Sequence, residues 1–256
     1  MTPTFHTILL DVQDRVATVT LNRPDSRNAL NSLMCAELVQ AMGLLAAHAD
    51  VNVVLIQAAG AAFCAGADLK ERKTMSTSEM TARRVQGFAA YGAIERMPQP
   101  VIAVVQGPAF GSGCEIAAAC DFVLASSDAI FCYPEVGWGT VGATQRLPRI
   151  AGARKAKELL FTGRRFDAAE ACEIGLVNQV HAPDALPREA LEMAKKIAGA
   201  SPLTVRLTKR SIDQGLATTR EGAMAIELLA IEENLRGTDW RQAIAGFGAS
   251  DKGDRA

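Results

Sequence analysis

Glu115 and Glu135 lie 20 residues apart, and each sits among small or apolar neighbours. Glu115 belongs to AFGSGCEIAAACD and follows Gly111-Ser112-Gly113, where backbone amides can approach a ligand closely. Glu135 belongs to IFCYPEVGWG and follows Pro134, which lacks an amide donor and restricts Tyr133 before it. Two carboxylates beside open amide donors suit acid/base chemistry on an activated carbonyl. Any two glutamates are ordinarily solvated surface residues. The flanking sequence argues against that plain reading here.

Two short loops share one logic. Phe63-Cys64-Ala65-Gly66-Ala67-Asp68-Leu69 and Phe110-Gly111-Ser112-Gly113-Cys114-Glu115 each follow an apolar strand-like run and lead into helix-forming sequence. The first amides of a helix have no internal partner and carry the positive end of its dipole. Two such loops facing each other make a two-amide oxyanion hole. Either loop alone is no more than a tight turn.

The elements that must position these loops are read from periodicity. Strands are predicted over 8–13 and 16–21, joined at Asp14-Arg15, and then over 51–58, 101–105, 122–125, 129–132 and 176–180. Helices are predicted over 32–49, capped by Asn31 or Ser32, and over 114–120, 154–162 and 168–173. A polar stretch turning helical covers 71–96, and glycines punctuate a turn over 107–113. From Pro187 the chain reads as helices only, over 187–199, 202–214 and 219–236. Early alternation of strand and helix indicates an α/β fold, followed by a helical tail. Apolar positions in the tail, among them Leu191, Leu207, Ile212, Leu216, Met224, Leu228, Leu229 and Ile231, fall on more than one face. Such helices need a partner beyond their own chain.

Composition narrows the function. The 256 residues carry a net charge of −1 and are 49% hydrophobic, which suits an enzyme-sized domain and gives no field for polyanions. No nucleic-acid partner is therefore expected. No run of 18 apolar residues predicts a membrane span, and the N-terminal residues lack the pattern of a signal peptide. Six cysteines without CxxC or zinc spacing read as free thiols of a reducing, cytoplasmic compartment. Three scattered histidines support neither a metal centre nor a Ser-His-Asp site.

The ordered set LNRPDSRNAL, FCAGADLKE, PVIAVVQGPAFGSGCEIAAACDFVLA, FCYPEVGWGTVGATQRLPR and FTGRRFDAAEACEIGLVNQV resembles the crotonase superfamily, specifically the enoyl-CoA hydratase/isomerase family. The resemblance spans about residues 8 to 245. It implies a crotonase-like spiral of ββα units over 1–190 and a helical C-terminal trimerisation region over 191–256. It implies a lyase, an enoyl-CoA hydratase of fatty acid metabolism, that adds water to a 2-enoyl-CoA. The same resemblance implies that the amides of Ala67 and Ser112 form the oxyanion hole and that Glu115 and Glu135 are the catalytic acids. It places Arg23, Ala65, Gly66, Asp68, Leu69, Lys70, Gly111 and Trp138 near substrate or coenzyme A. No permanently bound cofactor and no metal is implied; coenzyme A comes with the substrate. A homotrimer or homohexamer is the implied assembly.

Three departures from the family pattern stand out. Ser112 replaces the usual Gly or Ala, but its amide still donates; Phe110 breaks any G-x-S-x-G nucleophile motif. GTVGATQRL leaves three fewer residues between Glu135 and Thr144-Gln145-Arg146-Leu147 than PGAGGTQRL-type relatives have, and Trp138 in that segment is placed to narrow the acyl pocket. The tail FGASDKGDRA is short and less basic than usual, with Phe247 as its candidate border residue. Competing readings are an isomerase that works through Glu135 alone, a thioester or carbon–carbon hydrolase on the same fold, and an RNA-binding relative, which the charge disfavours.

Overall fold

The computed structural model describes residues 4–238, 240 and 241. The tail of the sequence, Phe247 included, lies outside the described residues. Strands β1 (Ile8–Gln13) and β2 (Val16–Leu21) pair antiparallel across a two-residue turn. Asp14 and Arg15 both hold positive φ, 50° and 65°, as a turn that matches strand twist requires. From β2 the sheet continues in parallel through β3 (Val53–Ala58), β4 (Val101–Val105), β6 (Phe122–Ser126) and β9 (Gln179–His181). A smaller sheet joins β5 (Ala109–Phe110), β7 (Ile130–Cys132) and β8 (Arg165–Asp167) in the order β5-β7-β8.

Parallel strands need cover on both faces, and their residues alternate between the two. One face, with Ala17, Val19, Leu21, Val54, Ile56, Ala103 and Val105, belongs to the same buried cluster as α1 (Ser32–Ala46) and α3 (Thr77–Glu95). These helices supply Leu38, Met42, Leu45, Ala90 and Ile94. The other face, with Val16, Val53, Leu55, Ile102, Val104 and Leu124, packs on Leu186, Ala190, Ala194 and Ala198 of α7 (Leu186–Ala198). Those four positions recur every fourth residue, which stacks them on one side of the helix. Each Val, Leu or Ile so buried contributes about 1.5–3 kcal/mol.

The chain divides into compact units 1–198 and 199–256. The boundary expected at 190/191 would cut through α7, whose small-residue stripe belongs to the sheet. The second unit contains α8 (Pro202–Gly215) and α9 (Arg220–Gly237). Among the described residues of that unit, only Leu207 and Ala230 are buried apolar positions. Leu216, Met224, Leu228 and Leu229 are exposed, Leu216 by 85%. Among the described residues, no helix is long and apolar enough to cross a membrane, and no cluster of metal-ligating side chains exists.

Candidate active site

The two small-residue loops meet backbone to backbone. Phe110 N–H donates to the Cys64 carbonyl at 2.9 Å, and Cys64 bridges Ala109. Gly66 has φ +100°, and a Cβ there would lie 3.1 Å from the Phe110 carbonyl oxygen. A Cβ on Gly113 would come within 2.3 Å of the Cys64 oxygen, which no side chain tolerates. Leu30 holds the first loop from its other side: its N–H donates to Gly66, and its carbonyl accepts from Asp68.

This docking leaves two amides open. Ser112 is the first residue of α4 (Ser112–Ala119), where a helix offers no acceptor to the N–H. Ala67 lies between Gly66 and Asp68, whose oxygen and N–H are spent on Leu30. Neither Ala67 N–H nor Ser112 N–H donates to any acceptor among the described residues. The Ser112 side chain instead lies against the Tyr91 hydroxyl.

Glu115 stands in the first turn of α4, only 6% exposed, where the helix dipole favours negative charge. Its Oε2 accepts from Arg146 at 2.8 Å, and Arg146 also grips both oxygens of Glu95 at 2.7 and 2.8 Å. The same guanidinium lies over the Tyr91 ring, 5.2 Å from its centre. The other oxygen of Glu115, Oε1, is buried and has no hydrogen-bond partner. Burial raises the Glu115 carboxyl above its ordinary range, and Arg146 partly offsets that rise.

Glu135 stands on a loop, just before a 3-10 turn at Val136–Trp138. It too keeps one buried oxygen, Oε2, without a partner. Burial raises its carboxyl, while Arg84 and Arg72 pull the other way. The following segment is tied back by Arg84, which donates to the Val141 carbonyl at 2.7 Å and to the Thr140 hydroxyl.

One cavity of about 120 Å³ joins these groups. Ala65, Gly66, Ala67, Leu69, Gly111, Ser112, Glu115, Glu135 and Trp138 all line it. Trp138 is 68% exposed, so it stands at the rim and does not plug the cavity. Three sequence-derived candidates lie apart from its lining. Asp68 caps α2 (Leu69–Arg72) by accepting from the N–H groups of Lys70 and Glu71. Arg23 pairs with Asp68 at 2.9 Å and also donates to the Ala29 carbonyl. Lys70 is exposed on α2. Sequence reasoning had not singled out Arg72, Tyr91 or Arg146. Only Arg146 carried a signal, as the arginine of Thr144-Gln145-Arg146-Leu147.

The description "Enoyl-CoA hydratase/isomerase" belongs to the family model that matches residues 11–252. The chain belongs to the enoyl-CoA hydratase/isomerase family. It is 40% identical over 244 residues to the short-chain-enoyl-CoA hydratase of Clostridium acetobutylicum, covering 94% of both chains. It is 37% identical to the crotonyl-CoA hydratase of Syntrophomonas wolfei, covering 95% of each. The crystal structure of an enoyl-CoA hydratase from Bacillus anthracis superposes with a TM-score of 0.93 at 35% identity, over 96% of this chain and 97% of that one. The family's spiral fold is thus the fold of this enzyme.

Proposed function

We propose that the protein is an enoyl-CoA hydratase that adds water reversibly to the double bond of a 2-enoyl-CoA thioester. One observation carries this reading: Glu115 and Glu135 each keep one oxygen unpartnered in a cavity that two undonated amides also face. The thioester carbonyl oxygen accepts from Ala67 N–H and Ser112 N–H. That withdraws electron density from the conjugated double bond and makes the β carbon electrophilic. Water between the two carboxyl groups forms the new C–O bond at the β carbon and gives a proton to one carboxylate. The π pair passes through the α carbon to the carbonyl oxygen as an enolate, which the amides stabilise. A proton delivered to the α carbon restores the thioester. Burial that raises both carboxyls toward neutrality suits groups that must exchange protons there.

An isomerase would need Glu135 alone. The free Oε1 of Glu115 favours the two-acid reaction. Lys70, exposed beside the first loop, is the better partner for a coenzyme A phosphate than Arg23, which Asp68 and Ala29 already occupy. The test is spectrophotometric. The absorbance of conjugated crotonyl-CoA should fall with purified protein, and a stable absorbance at high enzyme concentration, across short and long enoyl-CoAs, refutes hydration.

The exposed apolar residues of α8 and α9 support a homotrimer or a dimer of trimers, since soluble monomers rarely leave such faces open. Light scattering should give three or six times 27.1 kDa; an active particle of 27.1 kDa excludes this assembly. Six free thiols, four of them buried, suit a reducing compartment such as the cytoplasm.

A further inference from the structure

Three arginines line the cavity, and they differ in what holds them. Arg83 is spent: it pairs with Glu71 at 2.9 Å and donates to the Leu30 carbonyl and the Cys35 sulfur. Arg84 is tied to Thr140 and Val141. Arg72 has neither kind of tether. Its Nε is buried without a hydrogen-bond partner, and no carboxylate pairs with it among the described residues. A desolvated cation without an anion is costly. Burial lowers the Arg72 pKa, repulsion from Arg84 and Arg83 adds to that, and Glu135 opposes it.

Glu135 does not resolve this charge. Its Oε2 lacks a donor while Arg72 Nε lacks an acceptor, so these two atoms of one cavity do not meet each other. Both residues line the cavity, and neither atom has its hydrogen-bonding need met there. We propose that Arg72 binds a carboxylate at the far end of the acyl group, so that the preferred substrate is an enoyl-CoA whose chain ends in a second acid.

This inference rests on the hydratase reading. There the carbonyl sits at Ala67 and Ser112 and the β carbon sits by the glutamates. Arg72 lines the same cavity as Glu135, so the part of the chain beyond the β carbon comes within its reach. Lys70, the cation assigned to a coenzyme A phosphate, does not line this cavity. A neutral chain would leave the Arg72 Nε without an acceptor. A carboxylate supplies acceptors that a guanidinium can engage with two parallel hydrogen bonds. Arg84, on α3 and tied to the loop at Thr140 and Val141, adds positive potential to the same wall.

Calorimetric titration with two saturated thioesters tests this without any reaction. Glutaryl-CoA and pentanoyl-CoA have equal chain length, and only the first ends in a carboxylate. The wild type should bind glutaryl-CoA at least about tenfold more tightly, a difference of about 1.4 kcal/mol. In R72M the ratio of the two dissociation constants should approach one, and R72K should keep part of it. Equal affinity in the wild type overturns the proposal, as does an R72M that keeps the ratio or loses both ligands in parallel. Should R72M fail to fold, R72Q gives the same readout, because the ratio is internal to each variant. Crotonyl-CoA turnover is scored separately: a preserved glutaryl-CoA preference without any hydration sinks the reaction assigned above but not the acid pocket.

Discussion

The two walls of the cavity are built differently. Glu115 rides on a helix whose first turn is locked against a neighbouring loop, and an ion-pair chain through Arg146 to Glu95 fixes one of its oxygens. Glu135 rides on a loop beside an exposed 3-10 turn, and no side chain hydrogen-bonds its Oε2. The first wall is preorganised by backbone and salt bridge. The second is held through Arg84 and the peptide groups of the segment that follows Glu135. One acid is thus fixed in place by a salt bridge, while the other depends on a loop segment held by Arg84. Chemistry can stay constant on one side while the acyl pocket varies on the other.

The comparison breaks most visibly if either acid is dispensable. E115Q and E135Q should each lower kcat by about 10²–10⁴-fold with little change in KM, as loss of a general acid or base does. Steady-state kinetics on crotonyl-CoA decide this, and near-wild-type turnover by E115Q returns the isomerase reading. Removing the clamp from the first wall is the next largest effect. Arg146 holds the Glu115 carboxyl down against burial, so R146M should move the acidic limb of the kcat/KM profile to higher pH. The loss at neutral pH should be about tenfold, the size of one charge-assisted hydrogen bond. An unshifted limb means that Arg146 does not set the protonation of Glu115. The smallest effect belongs to Ser112. S112G keeps the donating N–H and removes only the hydroxyl near Tyr91, so activity should stay within about threefold. Intact-protein mass spectrometry offers the opposite outcome: an acyl adduct on Ser112 would establish nucleophilic catalysis.

How far the sequence could be read follows the same division. The strands at Ile8–Gln13, Val16–Leu21 and Val101–Val105 were legible to the residue, because apolar runs between turn residues have one economical solution. Asn31 caps α1 through its side chain, but the helix ends at Ala46 and not at 49. α5 (Leu147–Thr162) begins seven residues earlier than its apolar periodicity suggests. Pro148 fits the first turn of a helix, and Gly152 forms a break inside the element. β8 carries no strand signal in the sequence, because Arg-Phe-Asp is too short and polar to alternate. β9 lies at Gln179–His181, while the apolar Leu176 and Val177 before it fill the core as irregular chain.

At the site, Glu115, Glu135 and the two glycine-bearing loops were legible from local context. Arg146 and Tyr91 were not. Arg146 reaches Glu115 across 31 residues, and Tyr91 reads as one more apolar position of its helix. Arg72 reads as a helix-surface cation until the fold closes over it. Long-range pairing is decided by tertiary contact, which spacing along the chain does not encode.

Gly113 has a consequence of another kind. Because its hydrogen points at the Cys64 oxygen with no room for a carbon, the gap between the two donor-bearing loops is a mechanical stop, main chain resting on main chain. No rotamer and no titrating group enters that gauge. Mutation around the cavity can therefore retune what is bound without changing the width of the jaw that grips the carbonyl. A single methyl at residue 113 is the change that would pry it open.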